Sequence, residues 1–247
     1  MEDTKRNNQV WVMVAAILSL GLIISAWLLS SSLVKVKTAT NTITVTGSAK
    51  QQIKSDLAEW NGSFSTQSPQ LMTAYTQLTE SQKKVKAYLQ AAGIAEKDIV
   101  FSSINTNIKY VMLPNGMASN QIETYQLSQS VQIKSKEVDK ITDLSRKATE
   151  LINQGVEFQS NPPQYYYTKL ADLKIEMLSR ATKDAYKRAE QIADNAGSKV
   201  GALRSARMGV FQITPPYSND ISDYGTNDTW SLEKEITAVM NCEFAIE

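Results

Sequence analysis

The sequence predicts an α+β domain of antiparallel sheets with three main helices, preceded by one N-terminal transmembrane helix. Three observations predict it. A strand–strand–helix order recurs three times, with hairpin-length connections between strands. The strands are half polar, as in sheets with one solvated face. The run Val10–Val34 holds 25 residues without a charge.

That run meets the length of about 20 apolar residues that crosses a hydrocarbon core of roughly 30 Å. A cleaved signal peptide has a shorter apolar region followed by an A-x-A-like site. No A-x-A follows here, although Ser30 and Ser32 are small enough for cleavage positions. The expected layout is a tail 1–9, an uncleaved signal anchor 10–34, a linker 35–42 and a domain 43–247 with room for two subdomains. Lys5 and Arg6 before the run balance Lys35 and Lys37 after it, so positive charge leaves orientation tied. A short tail before the anchor and a large domain after it is the form that exports the domain. Ala15/Ser19 and Gly21/Ser25 are small-xxx-small pairs of the kind that packs membrane helices together, a pattern also common by chance.

Thr42 to Gly47 alternates and forms the first strand; the stretch from Ile53 leads into a second strand ending near Thr66. Ser68-Pro69 reads as an N-cap with proline at the first helical position. Leu71, Tyr75, Leu78, Val85 and Leu89 line the first helix, and Gly93 stops it. A long hairpin follows: Ile99–Met112, a Pro114-Asn115-Gly116 turn, and Ile122–Ile133 with Tyr125, Leu127, Val131 and Ile133 on one face. The second helix covers 136–154, with Val138, Ile141, Leu144, Ala148, Leu151 and Ile152 on one side and Gly155 as its stop. Val156–Phe158 and Gln164–Tyr167 flank Asn161-Pro162-Pro163. The third helix, Leu170–Asn195, carries Ala181, Ala185, Ala189 and Ala193, and Gly197 ends it. A strand over Arg204–Ile213, a loop over 215–230 and a period-2 strand over Lys234–Ile246 complete the chain.

The composition excludes several chemistries. The chain has no His, hence no imidazole general base, no Ser-His-Asp nucleophile and no HExxH zinc site. One Cys excludes an intramolecular disulfide and a CxxC motif. Four of the 26 basic and two of the 25 acidic residues precede residue 38, so 38–247 carries 22 and 23 and is nearly neutral. Nothing there favours nucleic acid.

The remaining candidates have plain structural readings. Asp56 and Glu59 are a possible acid–base pair, but three apart on a strand they face opposite ways. Tyr165-Tyr166-Tyr167 is a possible stacking platform, with Tyr166 turned away from its neighbours, so core plus interface is the plainer reading. Cys242 is a candidate redox thiol, yet its strand parity places it on the apolar face, where a thiol is inert. The Ala ladder suits close packing of the third helix more than a cofactor groove. Asn61-Gly62-Ser63 and Asn227-Asp228-Thr229 are glycosylation sequons by pattern alone. No catalytic, cofactor-binding or metal residue is assigned.

Taken together, certain residues carry a resemblance. They are the Ile43-Thr44-Val45-Thr46-Gly47 strand, Ser55-Asp56, Ala91-Ala92-Gly93-Ile94, Leu151 to Gly155, the Ala ladder with Gly197 to Gly201, and the terminal strand. Their order and spacing resemble the SIMPL-domain (DUF541) family, whose bacterial members include YggE-like envelope proteins and periplasmic immunogenic proteins. The resemblance covers about 43–247. Gly47-Ser48-Ala49 departs from the family's Gly-Glu-Gly, and Ser55-Asp56 from its Pro-Asp. The resemblance implies an α+β domain outside the cytoplasmic membrane, associated with envelope function and oxidative-stress tolerance. It brings no established catalytic residue.

The expectation is a membrane-anchored extracytoplasmic domain, held by Val10–Val34, that acts by self-association or partner binding, with no cofactor and no nucleic acid. Long hairpin arms and a terminal strand offer sheet edges for pairing. The loop 215–230 and the turn 113–121 are its variable surfaces. The alternative is a His-free enzyme or small-ligand binder with a large pocket. A third, weaker reading is a chaperone-like factor with an exposed apolar groove.

Overall fold

A computed structural model describes residues 18–27, 30, 41–114 and 116–247. The tail 1–9, most of the expected anchor and linker, and Asn115 of the turn lie outside the described residues. Residues 18–27 form an exposed helix, α1. Among the described residues, no helix is long and apolar enough to cross a membrane.

The chain is mixed α+β and divides into two compact units. The larger comprises Lys50–Glu176 and Val210–Thr237. Its main sheet runs β3 (Ile99–Phe101), β5 (Ala118–Ser135), β2 (Leu57–Ser68), β6 (Glu157–Ser160). β4 (Asn105–Met112) adds to β5 beyond β3, and β7 (Gln164–Tyr166) adds to β2 beside β6. Every pairing in this sheet is antiparallel. Helices α2 (Leu71–Ala91) and α3 (Val138–Lys147) cover one face, followed by a 3-10 stretch Ala148–Gln154. The core is Trp60 and Phe64 of β2, Leu127, Val131 and Ile133 of β5, and the inward stripes of the helices. Trp60 buries its ring and donates its indole N–H to Ser160 Oγ at 3.0 Å, and Ser160 donates to the Ser145 carbonyl at 2.6 Å. The buried polar atom is thereby satisfied.

The smaller unit holds the start of β1 (Thr42–Lys54), most of α4 (Leu170–Asn195), β8 (Val200–Met208) and the end of β11 (Glu233–Ile246). There β11 pairs antiparallel with β8 and neighbours β1. The inward residues of β11 alternate as the sequence predicts: Ala238, Met240, Cys242 and Phe244 are buried. Ala181, Ala185, Ala189 and Ala193 are also buried. They let helix and strand meet closely: a Cβ on Gly47 would lie 2.2 Å from the Ala181 carbonyl oxygen and 2.3 Å from Ala185 N.

Several boundaries differ from the sequence reading, each for a local reason. β1 does not end at Gly47 but runs to Lys54; Gly47 is there for close approach, not for a turn. The turn is Ser55-Asp56, pinned by Ser55 N–H to the Leu232 carbonyl at 2.9 Å. α2 starts at Leu71, capped by Gln70 without a side-chain bond, so Pro69 precedes the helix. The buried stripe is Ala74, Leu78, Ser81, Val85 and Leu89, while Leu71 and Tyr75 are exposed. Ile152 is exposed because the second helix tightens to 3-10 after Lys147 and rotates the stripe. The first hairpin arm breaks at Ser102, whose carbonyl takes the Gln129 side-chain amide at 2.8 Å and whose Oγ takes the Ser130 N–H at 3.0 Å. The Arg204–Ile213 stretch is two strands, β8 and β9 (Gln212–Thr214). Within the polar loop, β10 (Thr226–Asn227) pairs parallel with β9.

Candidate functional site

The feature that stands out on the larger unit is the two-stranded ribbon of β4 and the first half of β5. Opposite residues share a face. Thr106 opposes Leu127, Ile108 opposes Tyr125, Tyr110 opposes Ile122 and Met112 opposes Ala118. A register shift between Lys109 and Tyr110 keeps Ile122 on the same side as Tyr110. This side continues the face that carries Leu127, Val131 and Ile133 in the core. In the core the face is buried; along the ribbon Ile108, Tyr110, Met112 and Ile122 are exposed. Leu71, Met72 and Tyr75 at the start of α2 are exposed as well. The sequence reading found the hairpin and its inward face, but not that the outer half stays uncovered. Its signal was present: apolar alternation continues outward past the last residue that α2 covers.

The tip closes on itself. Leu113 N–H donates to the Met117 carbonyl at 2.8 Å and Gly116 N–H to the Leu113 carbonyl at 2.9 Å. Gly116 has φ +79, a conformation that favours glycine. Met112 and Met117 are each 62% exposed.

The candidate acid–base pair is not brought together. The Asp56 carboxylate accepts the Thr168 N–H and hydroxyl, both at 2.7 Å. Burial pushes its pKa up, but the Thr168 donors and Lys169 outweigh burial and hold it below the ordinary value. Glu59 pairs with Lys134 at 3.1 Å and accepts the Gln132 amide. Both carboxylates are structural acceptors.

Strand parity turns Tyr166 away from its neighbours, but β7 ends at Tyr166 and the three residues stay together. Tyr165 is buried and its hydroxyl meets Thr142 Oγ1 at 2.9 Å; Tyr166 is half-buried and donates to Gln164 at 2.6 Å. All three line a cavity of about 70 Å³ with Asp228 and Lys234. That is far under the roughly 300–1,000 Å³ of an ordinary ligand pocket. Lys234 is only 2% exposed and donates to the Asp228 carbonyl oxygen. Desolvation lowers its pKa, and the Asp228 carboxylate only partly counters it. Burial raises the Asp228 pKa, but Ser231, the Trp230 N–H and Lys234 bring it below the ordinary value. Sequence reasoning missed Lys234, although it shares the parity of Ile236 and Ala238 on β11. The sequon residues Asn227 to Thr229 belong to the wall of this cavity, and Asn61 to Ser63 sit inside β2.

Cys242 is buried, and burial pushes its thiol pKa up, so the thiolate that reacts is suppressed. Among the described residues, no group of three or more His, Cys, Asp or Glu side chains is placed to hold a metal ion.

Curated proteins offer no match to this chain. A family model does, over residues 43–244, which begins one residue inside β1 and ends near the close of β11. The chain belongs to the SIMPL family, described as a protein of unknown function (DUF541).

Proposed function

We propose that this SIMPL protein is a single-pass, membrane-anchored domain that works by association and not by catalysis. Val10–Val34 holds it in the cytoplasmic membrane, and the C-terminal domain lies on the extracytoplasmic side. The domain binds copies of itself, or an envelope partner, in a role tied to oxidative-stress tolerance. The charge-free 25-residue run supports the anchor, and the envelope setting is what the resemblance to bacterial SIMPL proteins implies.

The single observation that carries the reading is the uncovered apolar face of the ribbon. Ile108, Tyr110, Met112 and Ile122 continue a core face outward, and among the described residues no helix covers them. Contiguous exposed apolar surface of this kind marks an interaction site. Lys109 stands at the centre of the outer strand β4, where a charge discourages edge-to-edge pairing. Face-to-face packing is therefore the favoured mode.

Site-specific photocross-linking in membranes tests it. A photoreactive side chain at Ile108 is expected to give adducts at multiples of the 27.4 kDa chain, or one discrete larger adduct. The same group at exposed Ile152 is expected to give none. Equal yields at both positions, or none at Ile108, contradict the reading.

A further inference from the structure

We propose that a cleft on the larger unit, lined by Arg146, Asn161 and Trp230, binds a carboxylate-bearing sugar. The site stands apart from the ribbon face and from the anchor, and holds or fails without them. The cleft measures about 370 Å³, inside the roughly 300–1,000 Å³ of an ordinary ligand pocket. Three segments of the larger unit meet there. Arg146 stands in the last turn of α3. Asn161, Pro162 and Pro163 fill the break between β6 and β7. Trp230 closes the polar loop that leads into β11.

The backbone holds these segments together. Tyr165 N–H donates to the Thr229 carbonyl at 2.7 Å, and Asn161 N–H to the Asn61 carbonyl at 3.1 Å. The Asp228 carboxylate accepts the Trp230 main-chain N–H at 2.8 Å. The hydroxyls that line the cleft are already committed. Ser145 donates to the Thr142 carbonyl at 2.8 Å, and Thr142 to the Val138 carbonyl at 2.9 Å. Ser160 donates to the Ser145 carbonyl, and the Tyr165 hydroxyl meets Thr142 Oγ1. The side chains of Arg146, Asn161 and Trp230 differ from these. Among the described residues, none of the three has a hydrogen-bond or ion-pair partner. The cleft therefore presents a guanidinium, a carboxamide and an indole with their polar groups open to a ligand.

Those three groups define the ligand. Among the described residues that line the cleft, Arg146 alone is charged. Its planar fork matches a carboxylate through two parallel N–H···O bonds. The Asn161 carboxamide both donates and accepts, and a sugar hydroxyl answers both. The Trp230 indole, with the Pro162-Pro163 pair, supplies apolar surface for a ring. Asn161, Pro162 and Trp230 are exposed, so a bound ring keeps one edge in water. A hydroxylated ring is suited to that edge, whereas a wholly apolar ring gains nothing from the area left unburied. The sugar acid comes either free or as one unit of a polymer, and the test separates the two.

The full chain in detergent is titrated with glucuronate, glucose, benzoate and a glucuronate-containing tetrasaccharide, read by saturation-transfer NMR. Glucuronate is expected to bind at millimolar concentration or below. Glucose is expected to bind about tenfold more weakly, since it lacks the hydrogen bonds between charged groups. Arg146→Gln is expected to weaken glucuronate about tenfold and to erase its advantage over glucose. Trp230→Ala is expected to weaken both sugars. Arg146 and Trp230 are exposed, so both variants are expected to keep the wild-type melting temperature. Arg204→Gln, on exposed β8 of the smaller unit, is expected to leave binding unchanged. Tighter binding of the tetrasaccharide than of glucuronate supports a polymer as the source; binding of glucuronate alone supports the free sugar acid. No transfer to either glucuronate ligand, transfer that survives both cleft variants, or tighter binding of benzoate than of glucuronate overturns the proposal.

Discussion

Single residues in this protein hold structure more than they hold chemistry. Gly47 shows it best. A methyl there would meet backbone at 2.2–2.3 Å, so Gly47→Ala forces β1 and α4 apart. Overpacking of this kind costs about 3 kcal/mol, and a fall in the urea midpoint with unchanged slope is the expected reading. Asp56 gives a pH prediction. Its folded pKa is lowered, so its contribution is present above the ordinary value of 3.8 and is lost as pH falls through the folded one. Between about pH 5 and pH 2, wild type is expected to lose more stability than Asp56→Asn, read by denaturant unfolding at each pH. The Cys242 thiol is expected to stay unmodified by a thiol reagent in native protein and to react fully once unfolded. Rapid native labelling would return the redox reading to consideration.

At the scale of elements, the ribbon decides. Ile108, Tyr110, Met112 and Ile122 are each roughly half exposed. Burying a whole side chain of this type stabilises by about 1.5–3 kcal/mol. Four half-buried ones therefore offer about 3–6 kcal/mol per copy, and two facing ribbons about twice that. Association costs about 4–15 kcal/mol in lost freedom. The ribbon is thus sufficient for weak pairing, and the proposed membrane anchor would strengthen it. Ile108→Ser with Tyr110→Ser is expected to weaken association and to lower the stability of the single chain by only about 1.5–3 kcal/mol, since each side chain is half buried. Much of this fold was legible in the sequence. The stops at Gly93, Gly155 and Gly197 are where glycine spacing places them, each with positive φ. The third helix matches end to end. What escaped was set by tertiary contact. Gly47 looks like a turn until α4 is seen against it. Lys234 looks like a strand-edge charge until its cavity is seen. Periodicity marks which side of β4 is apolar, but only where α2 begins, at Leu71, determines how much of that side stays bare.

The whole molecule is a SIMPL-family α+β chain whose candidate reactive groups are tied into its structure. Asp56 and Glu59 serve as acceptors, Cys242 is enclosed, and the tyrosine cavity is too small for an ordinary ligand. The proposed anchor and ribbon face together describe a protein organised to gather at a membrane. The most direct test is the molar mass of the full chain in detergent by light scattering across a concentration range. A defined multimer of the 27.4 kDa chain is expected, and Ile108→Ser with Tyr110→Ser is expected to reduce it toward monomer. A wild-type chain that stays monomeric at every concentration, and captures no partner through the ribbon in membranes, would contradict it.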